Sequence, residues 1–277
     1  MSVAKEQQEA RQRKVRSDAG IPRLSERDVS ALRLIGDQGA MSADHLRDVL
    51  GRLSEYELDE PDRLSATRVR HILEERWLPA HVVEVDTILG KKWVWLTRRG
   101  LNRAGLPFSP HRPADITINH LHHVNRIRLY LEGLYSSLSL PASWESARWI
   151  ERSKKEWKAR KKADSGLDVP DEYETWHMPD ALWTFRNTGD IDDDKVFIEV
   201  ELSSKGLERT SDILLDLARH GTTWYYVEMD PKKGVYKTLM QALESLSGRL
   251  EHYRSHFYFY DLAEPNKLVY EYQKKEA

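Results

Sequence analysis

The chain contains no cysteine. This absence excludes disulfide bonds, zinc fingers and catalytic thiols. The sequence also has no apolar run approaching the roughly 20 residues that a membrane helix needs, and no signal-peptide-like stretch at its N-terminus. We therefore expect a cytoplasmic protein with no membrane partner.

A large excess of charge of one sign is also missing. Charged residues make up 32% of the 277 residues, but the formal net charge is only −2. Any surface that binds nucleic acid must therefore be a local concentration of basic side chains. The length is sufficient for two domains, each with a core of its own.

Residues 23–104 have the pattern of a winged helix-turn-helix domain. Ser25 and Asp28 form a capping box before a first helix, and two further helices begin after Ser42 and Ser65. Two alternating runs, 81–87 and 92–97, then predict a β-hairpin, which is the wing. In a winged helix the third helix enters the major groove of DNA.

The third helix and the wing carry the candidate DNA-binding residues, which are Arg68, Arg70, His71, Lys91 and Lys92. The alternative is a module for protein interaction or dimerisation. The acidic segment 52–63 separates the second and third helices and would repel phosphate if it faced the duplex. The predicted target is double-stranded DNA, and a second copy of the chain is a further candidate partner.

Three other segments are interpreted from their composition. Residues 1–22 read as a flexible basic arm, which is either disordered or lies on phosphates through Arg11, Arg13, Lys14 and Arg16. Residues 105–115 are rich in proline and polar residues and are interpreted as a linker. The charged run 152–172 predicts a mobile loop, either solvated or lying on a nucleic-acid backbone.

Residues 116–277 predict a second domain of α/β or α+β class. The expected order is helix, strand, strand, strand, helix, strand, helix, strand, strand, which gives a mixed sheet flanked by helices. The first helix carries His120, His122 and His123 in its first turns. His120 and His123 either share a metal ion or a phosphate, or are simply hydrogen-bonded or exposed.

The stretch from His177 to Lys205 carries the candidate chemistry. It reads as two strands joined by a polar loop at 190–194. Along the second strand Ile198, Val200 and Leu202 face the core, whereas Glu199 and Glu201 face the other side. Asp180, at the start of the first strand, can supply a third carboxylate.

Three carboxylates at one place predict a site for Mg²⁺, with Mn²⁺ as an alternative ion. Lys205 is positioned to neutralise developing charge, and Arg209 to hold an adjacent phosphate. The alternative is that Glu199 and Glu201 are merely solvated. A calcium loop formed by Asp190, Asp192, Asp194 and Glu201 is excluded because Lys195 stands where glycine is needed.

The segments PDALW and VFIEVELSSK resemble the "PD…(E)xExxxK" signature of the replication-relaxation family of plasmid and mobile-element proteins. The segment from His120 to Glu132 is similar to the "H…VNR.RL.LE" pattern of that family, in which His120 and Asn125 are candidate accessory residues. The resemblance covers roughly residues 25–230. It implies a winged helix joined to a PD-(D/E)XK-like nuclease domain, similar to relaxases that nick plasmid DNA.

By position Asp180 matches the first acid of that nuclease motif, Glu199 the second, and Glu201 the place of the usual lysine. Either Lys205 replaces that lysine, or the site has no catalytic activity and serves only in binding. We thus expect a Mg²⁺-dependent DNA nicking or relaxing protein of a plasmid or phage, with replication or transfer proteins as further candidate partners. The alternative is a non-catalytic winged-helix regulator or replication accessory protein with a degenerate nuclease fold.

Overall fold

The computed structural model describes residues 22–54, 63–165, 177–186, 194–250 and 256–272. Within these residues the protein is a mixture of helices with a small sheet and a larger mixed sheet. No helix in these ranges combines the length and apolarity that a bilayer crossing requires.

The N-terminal half contains helices packed on a small antiparallel sheet. Its elements are α1 (Glu26–Gln38), β1 (Ala40–Ser42), α2 (Ala43–Arg52), α3 (Ala66–Ile72) with a π-helical turn (Leu73–Trp77), β2 (Val83–Ile88), β3 (Lys91–Leu96) and α4 (Arg98–Ala104). The strands lie in the order β1-β3-β2. The predicted helices and hairpin are confirmed, whereas β1 and α4 were not predicted.

Side-chain caps explain where these helices begin. The Ser25 hydroxyl accepts from Asp28 N, and the Asp28 carboxylate accepts from Ser25 N, as the capping box predicts. Asp28 is fully buried, and it also accepts from the Trp77 indole at 3.1 Å and pairs with Arg76. The cap of α1 therefore also fixes the end of the third helical segment.

The C-terminal half is a six-stranded sheet flanked by helices. Its elements are α5 (Ile118–Ser137), β4 (Ala142–Ser146), α6 (Ala147–Ser165), β5 (Ala181–Phe185), β6 (Asp194–Glu201), α7 (Leu207–His220), β7 (Thr222–Val227), a 3₁₀ turn (Pro231–Lys233), α8 (Val235–Leu250), β8 (Phe257–Asp261) and β9 (Leu268–Tyr272). The strand order is β4-β5-β6-β7-β8-β9. Strands β6, β7 and β8 are parallel and the other pairs antiparallel, so the predicted mixed sheet is confirmed.

The prediction of a mobile loop over 152–172 is wrong for the part that the structure describes. Residues up to Ser165 continue α6, and residues 166–172 lie outside the described ranges. Charged pairs one turn apart support the helix, with 2.7 Å between Arg152 and Glu156 and 2.6 Å between Lys155 and Glu151. Lysine, arginine, glutamate and alanine are good helix formers, so the charge run extends the helix rather than ending it.

Helix α5 packs against both halves of the molecule. Leu129 belongs to the apolar cluster of the N-terminal helices, whereas the sheet cluster takes Val124, Ile127 and Leu131. The Asn125 amide is fully buried and donates to Ala40 O at 2.9 Å, so this candidate accessory residue joins α5 to β1.

The predicted linker 105–115 is also packed. Leu106 and Phe108 are buried in the N-terminal cluster, and the Arg148 guanidinium lies 4.1 Å from the centre of the Phe108 ring. The division of the chain into domains at this segment stays a prediction.

Replacing Gly100 with alanine should strongly destabilise the fold. A β-carbon there would lie 1.9 Å from Val82 O, which is backbone and has little freedom to move. We expect a loss on the order of 3 kcal/mol in urea unfolding. Gly248→Ala in α8 is the matched control because nothing lies within 4 Å of its β-carbon position, so it should gain up to about 1 kcal/mol. Equal effects at both positions would contradict this explanation.

Candidate functional site

Asp180 stands immediately before β5 and is fixed to the neighbouring strand β6. Its backbone N–H donates to Ile198 O at 3.0 Å, and its Oδ2 accepts from Val200 N at 2.8 Å. The carboxylate is therefore held by the sheet itself, at the end of the β5–β6 pair that Glu199 and Glu201 also approach.

His120 reaches this carboxylate from α5. Its Nε2 lies 3.1 Å from Asp180 Oδ2 and 3.1 Å from Val200 O. Burial lowers the pKa of His120, but the hydrogen bond to Asp180 and the charges of Asp180 and Glu199 outweigh it and raise the pKa to about 9. His120 therefore carries a proton at neutral pH. His123 instead lies beside His122, with ring centres 5.3 Å apart.

Glu199 and Glu201 lie on β6 and are buried, with 3% and 9% of their surface exposed. The interpretation of these glutamates as solvated is therefore wrong. The opposite face of β6 places Ile198 and Val200 in the sheet core, as the alternation predicts. The glutamates share their face with Phe197, which packs against the cluster formed with α7 and α8. Those helices exclude water from a strand face that reads as polar.

Glu199 forms a pair with His177, a residue to which the sequence pattern assigned no role. His177 Nε2 is 2.8 Å from Glu199 Oε1, and the His177 backbone N–H donates to Asp216 Oδ2 at 2.6 Å. Burial and then the charge of Asp180 raise the pKa of Glu199 to about 7, although His177 opposes the shift. Burial lowers the pKa of His177, but the hydrogen bond to Glu199 outweighs it and leaves that pKa raised. The pair therefore holds protons more tightly than two separate groups would.

Glu201 is paired with Lys205. Lys205 Nζ donates to Glu201 Oε2 at 2.5 Å, across the turn that leaves β6. The lysine side chain is 28% exposed, so its ammonium group lies at the boundary between the buried site and solvent. The predicted proximity of Lys205 to the carboxylates is present.

Tyr225 adds a buried hydroxyl that sequence reasoning did not single out. It lies opposite Glu199 in the register of the parallel pair β6–β7, and its hydroxyl has no hydrogen-bond partner within the described residues. Burial, followed by the charges of Glu199, Glu201 and Asp180, raises the pKa of Tyr225 above its ordinary range. The electrostatic effect of the three carboxylates therefore extends to the neighbouring strand β7.

The donor chemistry of the site suits a hard cation. Each carboxylate uses one oxygen in the contacts above, whereas Asp180 Oδ1, Glu199 Oε2 and Glu201 Oε1 make no hydrogen bond with a described residue. In the described ranges, however, no three histidine, aspartate or glutamate side chains are arranged to hold one ion. Mg²⁺ takes one or two protein carboxylates together with water and phosphate. One or two of the three predicted carboxylate ligands would therefore be enough to hold it.

Arg209 lies on α7 beside His177. The two residues line a groove of about 400 Å³ together with Asp212, Asp216, Arg219 and Arg249. Arg209 is exposed in this groove. The predicted phosphate contact would therefore be made on the His177 side of the carboxylates.

The candidate DNA-binding residues Arg68, Arg70 and His71 are exposed on α3, and Lys91 and Lys92 are exposed at the start of β3. A second groove of about 480 Å³ lies between α2, α3, the hairpin and α5. Basic residues dominate its charged lining, which comprises Arg47, Arg70, Lys91, Lys92 and Asp44. The acidic residues 55–62, the loop at 190–193 and the basic arm over 1–21 lie outside the described residues.

Replacing Glu199 with glutamine should change how stability depends on pH. The raised pKa of Glu199 means that the folded chain binds this proton more tightly than the unfolded chain, whose glutamate has a pKa of 4.5. The stability that this proton contributes is present below about pH 4.5 and is lost as the pH rises through about 7. Relative to the unaltered chain, Glu199→Gln should gain on the order of 1–3 kcal/mol between these pH values in urea unfolding.

Glu208→Gln, at an exposed position on α7, is the matched control and should follow the unaltered chain at every pH. A Glu199→Gln variant with the same pH profile as this control would contradict the raised pKa of Glu199.

Comparison with known proteins identifies no relative. No family model matches the chain, and neither a curated protein nor a solved structure is similar to it. The function of the site must therefore be inferred from its own residues and geometry.

Proposed function

We propose that the chain is a DNA-binding protein with a Mg²⁺-dependent nicking or relaxing activity, acting in plasmid or phage replication or transfer. In this proposal the N-terminal half is a winged helix-turn-helix and the six-stranded sheet is a PD-(D/E)XK-like nuclease domain. One observation carries it: Glu199 and Glu201 are buried on one strand face, next to an Asp180 that the backbone of β6 holds in place.

Burial of these carboxylates is costly for the fold. A carboxylate removed from water loses much solvation free energy, which a single ion pair does not reliably restore. Here burial, and then the charge of Asp180, raises the pKa of Glu199, so the negative charges of the two acids disfavour each other. Perturbed, mutually repelling acids are found disproportionately at functional sites, which supports a catalytic or binding role.

The residues around the carboxylates supply the other requirements of phosphodiester cleavage. A Mg²⁺ ion bound there would polarise the phosphodiester and lower the pKa of a bound water. Asp180 and Glu199 would hold the ion, while Lys205 would neutralise charge on the phosphate that is cleaved. His177 is hydrogen-bonded to Glu199 and can exchange a proton with it. Arg209 would bind the next phosphate.

The arrangement of the N-terminal half supports duplex binding. The order helix, strand, helix, helix, hairpin leaves one face of α3 exposed, with Arg68, Arg70 and His71 on it. In a winged helix this face enters the major groove while the wing contacts the neighbouring backbone.

One observation favours the alternative, a non-catalytic DNA-binding regulator or replication accessory protein. Each carboxylate already has a basic side chain as its partner within the chain: His120 for Asp180, His177 for Glu199 and Lys205 for Glu201. With Glu201 in the usual place of the lysine, such a network can serve the fold alone.

A nicking assay on supercoiled plasmid distinguishes the nicking activity from the non-catalytic alternative. With Mg²⁺ present, Asp180→Asn and Glu199→Gln should each slow nicking by about 100-fold or more, because both keep the side-chain shape but remove a charged oxygen ligand. The readout is conversion of supercoiled to open-circular DNA on a gel. Glu208→Gln should nick at the rate of the unaltered chain.

A cooperative thermal unfolding transition and unaltered duplex binding would show that the two slow variants are folded. If the unaltered chain binds DNA but does not nick it under Mg²⁺ or Mn²⁺, the enzymatic proposal is wrong and the non-catalytic alternative stands.

Duplex binding itself is tested on α3. Arg68→Ala combined with Arg70→Ala should weaken the affinity for double-stranded DNA and reduce the slope of log affinity against log salt by about 2, since each lost phosphate contact lowers it by about 0.9. Arg103→Ala on α4 removes an exposed arginine elsewhere and should change neither quantity. An unchanged slope in the double variant would instead favour the protein-interaction function for this half.

A further inference from the structure

The tip of the β2–β3 hairpin has an unusual residue in its turn. Ile88 and Lys91 are the last paired residues, so the turn consists of Leu89 and Gly90 alone. Both have positive φ, 48° for Leu89 and 76° for Gly90. This is the pattern of a type I′ turn, whose first position favours asparagine, aspartate or glycine.

Leucine is poorly suited to that position. In the left-handed region its β-carbon crowds the following carbonyl, a strain that asparagine tolerates better. The Leu89 side chain nevertheless remains 70% exposed and belongs to none of the apolar clusters formed by the described residues. Neither the turn geometry nor core packing accounts for leucine here. A strained residue that the fold does not need is a reason to consider function.

The charges around the tip favour a polyanionic partner. Lys91 and Lys92 follow the turn and are exposed, although Lys91 Nζ lies 3.4 Å from His122 Nε2 and Lys92 Nζ lies 3.8 Å from Glu74 Oε1. Asp86, on the other strand of the hairpin, is paired with Arg112 at 3.1 Å, so the charge of the arginine offsets that of the carboxylate. The tip is thus an exposed apolar side chain next to two cations.

We propose that Leu89 is an apolar wedge that enters the minor groove of duplex DNA and partly unstacks one base step, with Lys91 and Lys92 on the flanking phosphates. Small apolar side chains inserted between base steps kink the duplex, and the bend brings more backbone within reach of the protein. The inference rests on the proposed DNA binding of this half and is independent of whether the carboxylate site cleaves DNA.

The sharpest test is Leu89→Asn, because the fold and the proposed function respond to it in opposite directions. Asparagine suits the turn better, so thermal unfolding should occur at the same or a higher temperature. Affinity for short random-sequence duplexes should fall on the order of tenfold. Energy transfer between dyes at the two duplex ends, which reports bending, should fall towards the value of free DNA.

Two variants distinguish insertion of the Leu89 side chain from electrostatic attraction by the neighbouring lysines. Lys91→Ala should reduce the salt dependence of binding by about one phosphate contact while the bound duplex stays bent. Leu89→Met keeps an apolar tip and should keep both affinity and bending.

Each adverse outcome points to a different error. Unchanged affinity and bending in Leu89→Asn would overturn the wedge while leaving DNA binding in place. Absence of duplex binding by the unaltered chain would contradict both proposals. If Leu89→Asn instead converts a dimer to a monomer in sedimentation, the tip is a self-association surface and the wedge is wrong.

Discussion

A buried ion pair between Arg128 and Asp37 determines how the two halves of the molecule fit together. Both side chains are more than nine-tenths buried, and Glu132 and Ser146 complete the hydrogen bonds of the pair, at 2.8 Å and 3.0 Å. A buried pair is tolerated only when its remaining polar atoms are satisfied, so the geometry of this network is strict. It holds α5 against α1 and β4, and therefore sets the position from which His120 reaches Asp180.

The candidate site depends in part on that placement, because His120 of α5 is one of the groups that hold its carboxylates. The three carboxylates are held in three different ways. The β6 backbone and α5 hold Asp180, a histidine steadied by α7 holds Glu199, and the chain leaving the strand holds Glu201 through Lys205. Elements from both sides of the sheet therefore meet at one strand end. Burial, and after it the charges of neighbouring carboxylates, raises the pKa values of Glu199 and Tyr225, so these groups are electrostatically coupled.

Local patterns predicted much of this. The bounds of α7 and β9 agree with the periodicity, and the alternation along β6 correctly separated Ile198 and Val200 from the glutamates. The prediction at α6 was wrong because its charge run was interpreted without its pairs one turn apart. Burial of Glu199 and Glu201 could not be predicted, since it depends on how α7 and α8 pack over that face of β6. The partnership of His120 with Asp180, 60 residues away, likewise leaves no local trace. His177, two residues before Pro179, was the one missed residue that its position near the motif could have indicated.

Helix α5 also has a consequence for how such a chain can be inherited. Its side chains Leu129, Asn125 and Arg128 contact the N-terminal half, while Val124, Ile127 and Leu131 complete the sheet core. A recombination event at residues 105–115 would transfer α5 without the surface that covers half of it. A new N-terminal half would have to match an apolar patch, a buried amide and a buried guanidinium together. The N-terminal half and the carboxylate site are therefore expected to be inherited together, and the N-terminal half is expected to change by substitution on exposed elements such as α3 and the hairpin rather than by exchange.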